Sequence, residues 1–574
     1  MSEKIEEWHD GWTRRRLLTR IGQIGGASAL YETMVAMGLI DVPPAWAGTP
    51  KMPEGSGVGK SVLILGAGIG GLTTAYILSR YGYSCRILEA THRAGGRNHT
   101  ARRGSTILEN SNEHGTTAQQ CRFDDGLYLN LGPGRLAYHH HRMLGYCQEL
   151  EVELEPYIAN TSGNLYQTSL AFDQKPVLYG EVQNDTRGYI AEILAKSVSQ
   201  GMLNTALDAE DRVRLLGLLE KFGALDKAYK YDGSGGRAGC GPDTPNVFYG
   251  CQILPPTPLD QLLDSKFWED NFYQEFDYRH QATLFQPVGG MDMIVEGFLR
   301  KVGNLITYSA PVVGIETRDD GVSVKYMSGA TQATATADYC VSNIPCPVLE
   351  KISANFSDDY RDAIRRTEFG TGCKVGWQSN TRFWESNKYG IFGGISWTND
   401  IISQIWYPSN GYFTQKGTLT GAYIQLDNAT AFGKLSLEKR LEVAKSGGAK
   451  LHAEILEERI VPTKLGLSIA WQNVPYQEGA WPNWESPISW KPGDVPGDTS
   501  GDSHDEDDKD YRRLLLPDGR FHIVGDQTST LPGWQEGAMM SAEWVVELIA
   551  GSKGPEHIPH DCKAPSTSRV LRHG

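Results

Sequence analysis

The sequence predicts an α/β fold that opens on a Rossmann-type βαβ unit. Three observations predict it. Val62-Leu63-Ile64-Leu65 is a continuous apolar run, as a buried parallel strand would be. Gly66-Ala67-Gly68-Ile69-Gly70-Gly71 follows directly and supplies G-x-G-x-x-G between strand and helix. Glu89 lies 18 residues past Gly71, at the end of a second strand over 84–90.

The other elements follow in chain order. Residues 48–60 are rich in Gly and Pro and read as a linker. A helix is predicted over 70–81, with Leu72, Ala75 and Leu78 on one face. Residues 186–225 read as helical, with Asp208 as a cap and a stop near Gly223. Residues 232–245 form a glycine-rich loop. Leu305 to Val341 alternates like strands around a turn at Asp319-Asp320-Gly321. Residues 491–511 are polar and acidic and read as a surface loop, and the tail after Gly551 is polar.

Composition narrows the function. The 574 residues carry 55 Lys+Arg against 69 Asp+Glu, a net charge of −14. So acidic a chain is a poor match for nucleic acid, whose binding rests on neutralising phosphates. An apolar content of 40% and 14 Trp are enough for a large core. No apolar run reaches the roughly 18 residues of a membrane span. The nine cysteines are scattered, and no C-x-x-C pair points to zinc, so no metal is expected.

Thr13-Arg14-Arg15-Arg16-Leu17-Leu18 precedes a mildly apolar stretch from Ile21 to Ile40, and Ala45-Trp46-Ala47 has A-x-A spacing. Residues 1–47 thus resemble a twin-arginine export signal cleaved after Ala47. The expected location is periplasmic or secreted. The rival reading is an amphipathic helix docked on the domain with its arginines in solvent, and a cytoplasmic location.

In the glycine motif, the first Gly makes the tight turn and the second lets backbone approach a pyrophosphate. The third lets helix and strand pack closely. The helix N-terminus offers N–H donors to the phosphates. The Glu89 carboxylate accepts ribose hydroxyls and repels a 2′-phosphate. Gly95-Gly96-Arg97 adds close backbone approach and a guanidinium suited to phosphate.

From Glu89 through Gly95-Gly96-Arg97 to Thr100, the chain resembles the flavin-containing amine oxidase superfamily. The resemblance runs in order from about residue 60 to 550. It implies FAD, bound through Gly66, Gly68, Gly70, Gly71, Glu89, Gly96 and Arg97. Ala310-Pro311-Val312-Val313 resembles the strand that touches adenine, through Val312. Phe521-His522-Ile523-Val524-Gly525-Asp526 resembles the turn that binds the ribityl chain, with Asp526 where members commonly have Glu. Gly533-Trp534-Gln535-Glu536-Gly537-Ala538 resembles the segment that opens the last helix beside the flavin ring, through Gln535.

On the substrate side, Gly132-Pro133-Gly134-Arg135-Leu136 resembles a segment of the L-amino acid oxidases of this superfamily. There the Arg holds the substrate α-carboxylate, and the resemblance sets Gly134 and Arg135 beside the cofactor as well. A planar guanidinium fixes both carboxylate oxygens, which orients Cα–H toward the flavin. Gly372-Cys373-Lys374 resembles the segment whose lysine assists reoxidation by oxygen. Ile405-Trp406-Tyr407-Pro408 resembles a strand that supplies a Tyr to the carboxylate. Tyr407 is the first choice and Trp406 the fallback. Trp471 and Trp534 are candidate walls. His139-His140-His141 reads as surface rather than a metal site, with His140 the one that could border the substrate path.

The expected architecture has a discontinuous FAD-binding domain over 60–100, 287–345 and 512–553. An α+β substrate domain over 101–180 and 346–490 and a helical region over 181–286 complete it. The expected reaction is oxidation of a free L-amino acid by hydride transfer to flavin N5, with reoxidation by O2. The products are a 2-oxo acid, ammonia and hydrogen peroxide. The rivals are an amino-acid 2-monooxygenase of tryptophan or phenylalanine type, and a monoamine or polyamine oxidase. The family resemblance also implies a homodimer.

Overall fold

The computed structural model describes residues 48–202, 207–236, 239–240, 245–269, 280–484 and 506–551. Residues 1–47, for which an export signal is expected, lie outside the described residues.

The opening βαβ unit comprises the strand Ser61–Leu65, the helix Ile69–Arg80 and the strand Ser84–Leu88. The apolar run Val62–Leu65 lies at the centre of a five-stranded parallel sheet. Its order is Ile306–Thr307, Ser84–Leu88, Ser61–Leu65, Tyr339–Ser342 and Phe521–Ile523. A central strand covered on both faces meets core on either side, hence four consecutive apolar residues. Gly66 turns the chain out of the strand with φ +94. At Gly71, a Cβ would lie 2.1 Å from the Gly66 carbonyl oxygen, so only glycine lets the helix sit this close. Leu72, Ala75 and Leu78 are buried, as their spacing predicts.

A second sheet extends this half of the molecule. Val312–Arg318 and Gly321–Ser328 form a hairpin that pairs Arg318 with Gly321 across the Asp319-Asp320 turn. Leu63, Leu88, Ile315, Val324, Cys340 and Phe521 share one core. The helices Cys346–Leu349 and Asp358–Arg366 add Cys346, Leu349, Tyr360 and Ile364 to it. These helices, assigned from sequence to the 346–490 segment, therefore pack with the nucleotide-type sheet. The reason is amphipathicity: their apolar faces fit the bare side of that sheet.

The other half is built on a seven-stranded mixed sheet. Its order is Val177–Leu178, Leu165–Gln167, Ile395–Thr398, Gln404–Trp406, Gly417–Gln425, Gly372–Ser379 and Gly466–Ala470. Lys374 pairs with Tyr423 on one side and Ile469 on the other. A three-stranded sheet sets Leu284–Pro287 between Leu136–Ala137 and Leu154–Tyr157. The helices Tyr179–Ser199 and Ala209–Gly223 pack through Ala191, Ala195 and Leu219. Asp208 caps the second helix, its carboxylate accepting the Asp211 N–H at 2.8 Å. Cys240, in the glycine-rich stretch, forms a disulfide with Cys251, their Cα atoms 5.1 Å apart.

The acidic stretch is corrected at its end. Residues Glu506–Leu514 form a helix, and Asp510 is 4% exposed. Its carboxylate takes two hydrogen bonds of 2.6 Å from Arg366. A bidentate guanidinium neutralises the acid and lets it leave solvent, which local composition does not reveal. Residues 485–505 lie outside the described residues. No helix among the described residues is long and apolar enough to cross a membrane.

Candidate active site

One cavity of about 490 Å³ runs along the carboxyl ends of the central strands toward the seven-stranded sheet. That volume lies within the ~300–1,000 Å³ of ligand pockets. Gly66, Gly68, Gly70, Glu89, Gly96, Arg97, Val312, Lys374, Trp471, Asp526, Trp534 and Gln535 all line it. They come from distant parts of the chain, and the two sheets bring them together.

Gly68 caps the helix Ile69–Arg80 without a side-chain hydrogen bond, leaving first-turn N–H groups for a ligand. Glu89 follows the second strand. Its Oε2 accepts the Ala67 N–H at 2.8 Å and its Oε1 accepts the Thr91 N–H at 2.9 Å. Oε1 also accepts the Thr91 hydroxyl at 2.7 Å, so the lone pair left for a ribose hydroxyl is on Oε2. Gln535 opens the helix Gln535–Ala550, and its buried Nε2 has no hydrogen-bond partner among the described residues. It is a donor held ready for a ligand.

Arg97 and Asp526 work as a pair rather than as separate ligands. The guanidinium grips both carboxylate oxygens, with Nη1 to Oδ2 at 3.0 Å, and also donates to the Ala480 carbonyl at 2.9 Å. Asp526 accepts the Gly533 N–H at 2.9 Å. The pair ties the first glycine-rich segment to the last turn. The grip on Asp526 and Ala480 leaves the Nε–H and one Nη2–H of Arg97, which lines the cavity, for a ligand.

Lys374 projects from its strand into the cavity. Its Nζ donates to the Gly132 carbonyl at 2.5 Å and to the Asn130 carbonyl at 3.3 Å. It lies 4.6 Å from the ring centroid of Trp406 and 5.0 Å from that of Tyr423. Burial, with repulsion from Arg135 added, pushes its pKa down to about 7.

Arg135 stands just beyond the cavity lining. Its Cζ is 5.4 Å from the Trp406 ring centroid and 5.8 Å from that of Trp534. Its buried Nε has no hydrogen-bond partner among the described residues, nor does any carboxylate there pair with it. Gly134 is not part of the large cavity. It packs on Trp406, where a Cβ would lie 2.6 Å from the ring. Gly71 likewise stays inside the helix–strand contact.

Tyr407 is corrected. It is 1% exposed, and its hydroxyl bonds Ser396 at 2.8 Å and His452 at 2.5 Å within the core of the seven-stranded sheet. Neighbours on a strand point oppositely, so when Tyr407 turns inward, Trp406 faces the site. Trp406 and Tyr423 are thus the aromatic pair beside Lys374, their rings 5.0 Å apart edge to face. Sequence reasoning missed Tyr423, though its alternation along Gly417–Gln425 carried the signal. His140 is corrected too. It is 1% exposed and packs edge-on against Trp534, with ring centroids 4.8 Å apart. Trp471 donates its indole N–H to the Leu131 carbonyl at 3.0 Å, so it is wall and core at once. Asn343, also unanticipated, lines the cavity against the glycine turn.

A parallel sheet, a glycine turn at a helix N-terminus and a lysine-bearing aromatic cleft together describe a flavin oxidoreductase of the amine oxidase type. The chain belongs to the flavin-containing amine oxidoreductase family, whose sequence profile matches residues 69–550. The flavin-dependent L-tryptophan oxidase RebO of Lentzea aerocolonigenes is 24% identical over 523 residues, 86% of this chain and 99% of its own. An L-amino-acid oxidase of Pseudechis australis is 23% identical over 498 residues, covering 84% and 85%. Among solved structures, a wild-type putrescine oxidase bound to putrescine aligns with a TM-score of 0.54 at 17% identity. It spans 86% of this chain and 99% of that one.

Proposed function

We propose that this protein is an FAD-dependent L-amino acid oxidase, converting a free L-amino acid and O2 to a 2-oxo acid, ammonia and hydrogen peroxide. Arg135 carries the proposal. It is a cation without a carboxylate partner, held between two indoles beside Lys374. A simple amine needs no such cation, whereas an amino acid brings a carboxylate that does.

The residues present fit FAD. The uncapped helix start and Gly66–Gly68 suit its pyrophosphate, Glu89 a ribose, and the Gln535 Nε2 donor its ring system. FAD, when bound, accepts the hydride and returns the electrons to dioxygen. The chain's own residues do the rest. Arg135 holds the carboxylate, Trp534 and Trp406 flank it, and Trp471 excludes water from the cleft. Lys374, when charged, places a cation where negative charge develops during oxygen reduction.

We also place the protein outside the cytoplasm by the twin-arginine route. The Cys240–Cys251 disulfide supports this, since such bonds persist in oxidising compartments.

The test compares an L-amino acid with its decarboxylated amine in wild type and Arg135→Met. Losing a charge-assisted clamp is expected to lower kcat/KM for the amino acid by about 1.5–3 kcal/mol, roughly 10- to 150-fold. Turnover of the amine should change little. Equal losses on both would make Arg135 structural and favour an amine oxidase, while an amide product would identify a monooxygenase.

A further inference from the structure

We propose that Asn98 and Gln535 form a paired-amide clamp on the pyrimidine edge of the flavin ring, Asn98 supplying an acceptor and Gln535 a donor. The proposal rests on the FAD reading above and extends it to Asn98, a residue that no motif marks.

Asn98 follows Gly95-Gly96-Arg97 and is 4% exposed. Its backbone N–H closes a turn on the Gly95 carbonyl at 2.9 Å. Its side-chain Nδ2 donates to the Met291 carbonyl at 3.1 Å and to Gln535 Oε1 at 2.8 Å. The Met291 carbonyl can only accept, so it fixes which end of the Asn98 amide faces it. Nδ2 uses both of its N–H groups in these two bonds, and Gln535 must turn its oxygen to meet the second. That leaves Asn98 Oδ1 and Gln535 Nε2. Both atoms are buried, and neither has a hydrogen-bond partner among the described residues. Both residues line the cavity of about 490 Å³.

An acceptor and a donor left open on one hydrogen-bonded pair are costly unless a ligand completes both. Such a ligand must carry a donor next to an acceptor. The pyrimidine part of a flavin does, since its N3–H stands between two carbonyl groups. Asn98 Oδ1 accepts the N3–H, and Gln535 Nε2 donates to a neighbouring carbonyl. Phosphate oxygens only accept, so they leave Oδ1 unsatisfied. Position agrees with the ring. Gln535 follows Trp534, whose ring centroid lies 5.8 Å from Arg135 Cζ, and Arg135 also faces the indole of Trp406 beside Lys374. The pyrimidine carbonyl gains electron density when the flavin is reduced, so a fixed donor there favours the reduced form.

The experiment equilibrates the purified protein with equal concentrations of FAD and 3-methyl-FAD, whose N3 carries no proton, and measures which flavin is bound. Wild type is expected to favour FAD about tenfold, because the methylated ring leaves Asn98 Oδ1 unsatisfied. Asn98→Ala removes the acceptor and makes room for the methyl group, so the preference should fall below about twofold. Asn98→Asp keeps an oxygen acceptor and should keep the preference. The two flavins compete for one protein, so a general loss of stability in a variant moves both alike. Gln535→Met removes the donor and should lower the reduction potential of the bound flavin. Wild type without a preference, an Asn98→Ala protein that retains one, or an unchanged potential in Gln535→Met overturns the proposal. Equal weakening of both flavins by Asn98→Ala is such a case, and would give the pair to a ribityl hydroxyl. If wild type takes up neither flavin, the FAD reading fails and takes this proposal with it. If it takes up both without preference, only the clamp fails.

Discussion

Lys374 and Arg135 address the same indole, Lys374 Nζ 4.6 Å and Arg135 Cζ 5.4 Å from the ring centroid of Trp406. The two cations therefore lie within about 10 Å of each other, with no carboxylate paired to either among the described residues. At that range, inside a protein, repulsion is worth about 1–2 kcal/mol. Trp406 offers both a π-face, which softens the cost of keeping them together.

This coupling makes the oxygen reaction depend on pH through Arg135. Lys374 sits at about 7 because of burial and Arg135. The proposed charged form is lost as pH rises through that value, so reoxidation should slow there. Arg135→Met removes the repulsion and leaves the burial, which moves the slowing to higher pH. Photoreduced enzyme mixed with oxygenated buffer, without substrate, reports it. A midpoint that stays in place would show that the two residues are uncoupled.

Stability should follow the same group. The folded pKa of Lys374 lies below the unfolded value of about 10.4, so between about 7 and 10.4 the unfolded chain binds more protons. The Lys374 contribution to stability therefore rises with pH across that window. The thermal midpoint of Lys374→Met relative to wild type should accordingly be more favourable at pH 7 than at pH 10. A pH-independent difference would contradict the burial of a shifted amine.

Flavin retention should hinge on the Arg97–Asp526 pair. Asp526→Asn leaves Arg97 without its carboxylate partner and loosens the link between the glycine-rich segment and the last turn. The purified variant is expected to carry less flavin per chain, read from its visible absorbance. Glu89→Lys should lose more, since it also removes the acceptor of the Ala67 N–H. Full occupancy in both variants would move the cofactor elsewhere.

The buried Glu109–Arg440 pair should be strongly destabilising to break. Both side chains are 4% exposed, and Glu109 also accepts the Ala470 N–H next to Trp471. Arg440→Met strands the carboxylate and is expected to cost about 3–5 kcal/mol in a denaturation experiment. Replacing Glu109 by Leu in the same chain should recover much of that loss. A small cost for Arg440→Met alone would mean that the carboxylate is protonated there.

Export should require the arginine pair. Lys in place of both Arg14 and Arg15 should retain the protein in the cytoplasm, because the pathway reads guanidinium groups. Trapped alkylation should then find Cys240 and Cys251 reduced there and joined in exported protein. Normal export of the double variant would show that Arg14 and Arg15 are not the signal that is read.

The nucleotide-binding half was legible in the chain because its determinants are local. An apolar strand, a turn that only glycine can make, and an acidic residue after the next strand each act within 30 residues of one another. Asp208 capping its helix is legible for the same reason. Arg135 and Lys374 were found through short motifs, not through any periodicity.

What the sequence alone determined was therefore the βαβ unit, its glycine turn and the residue types offered to a dinucleotide and an amino acid. The tertiary structure decided who meets whom. It turned Tyr407 into the core and Trp406 into the cleft, tied Arg97 to Asp526, and buried Asp510 against Arg366 and His140 against Trp534. Each of these depends on which face of a strand is covered, or on a partner more than a hundred residues away. Neither leaves a mark on local spacing, because burial and pairing are properties of packed layers rather than of neighbouring residues.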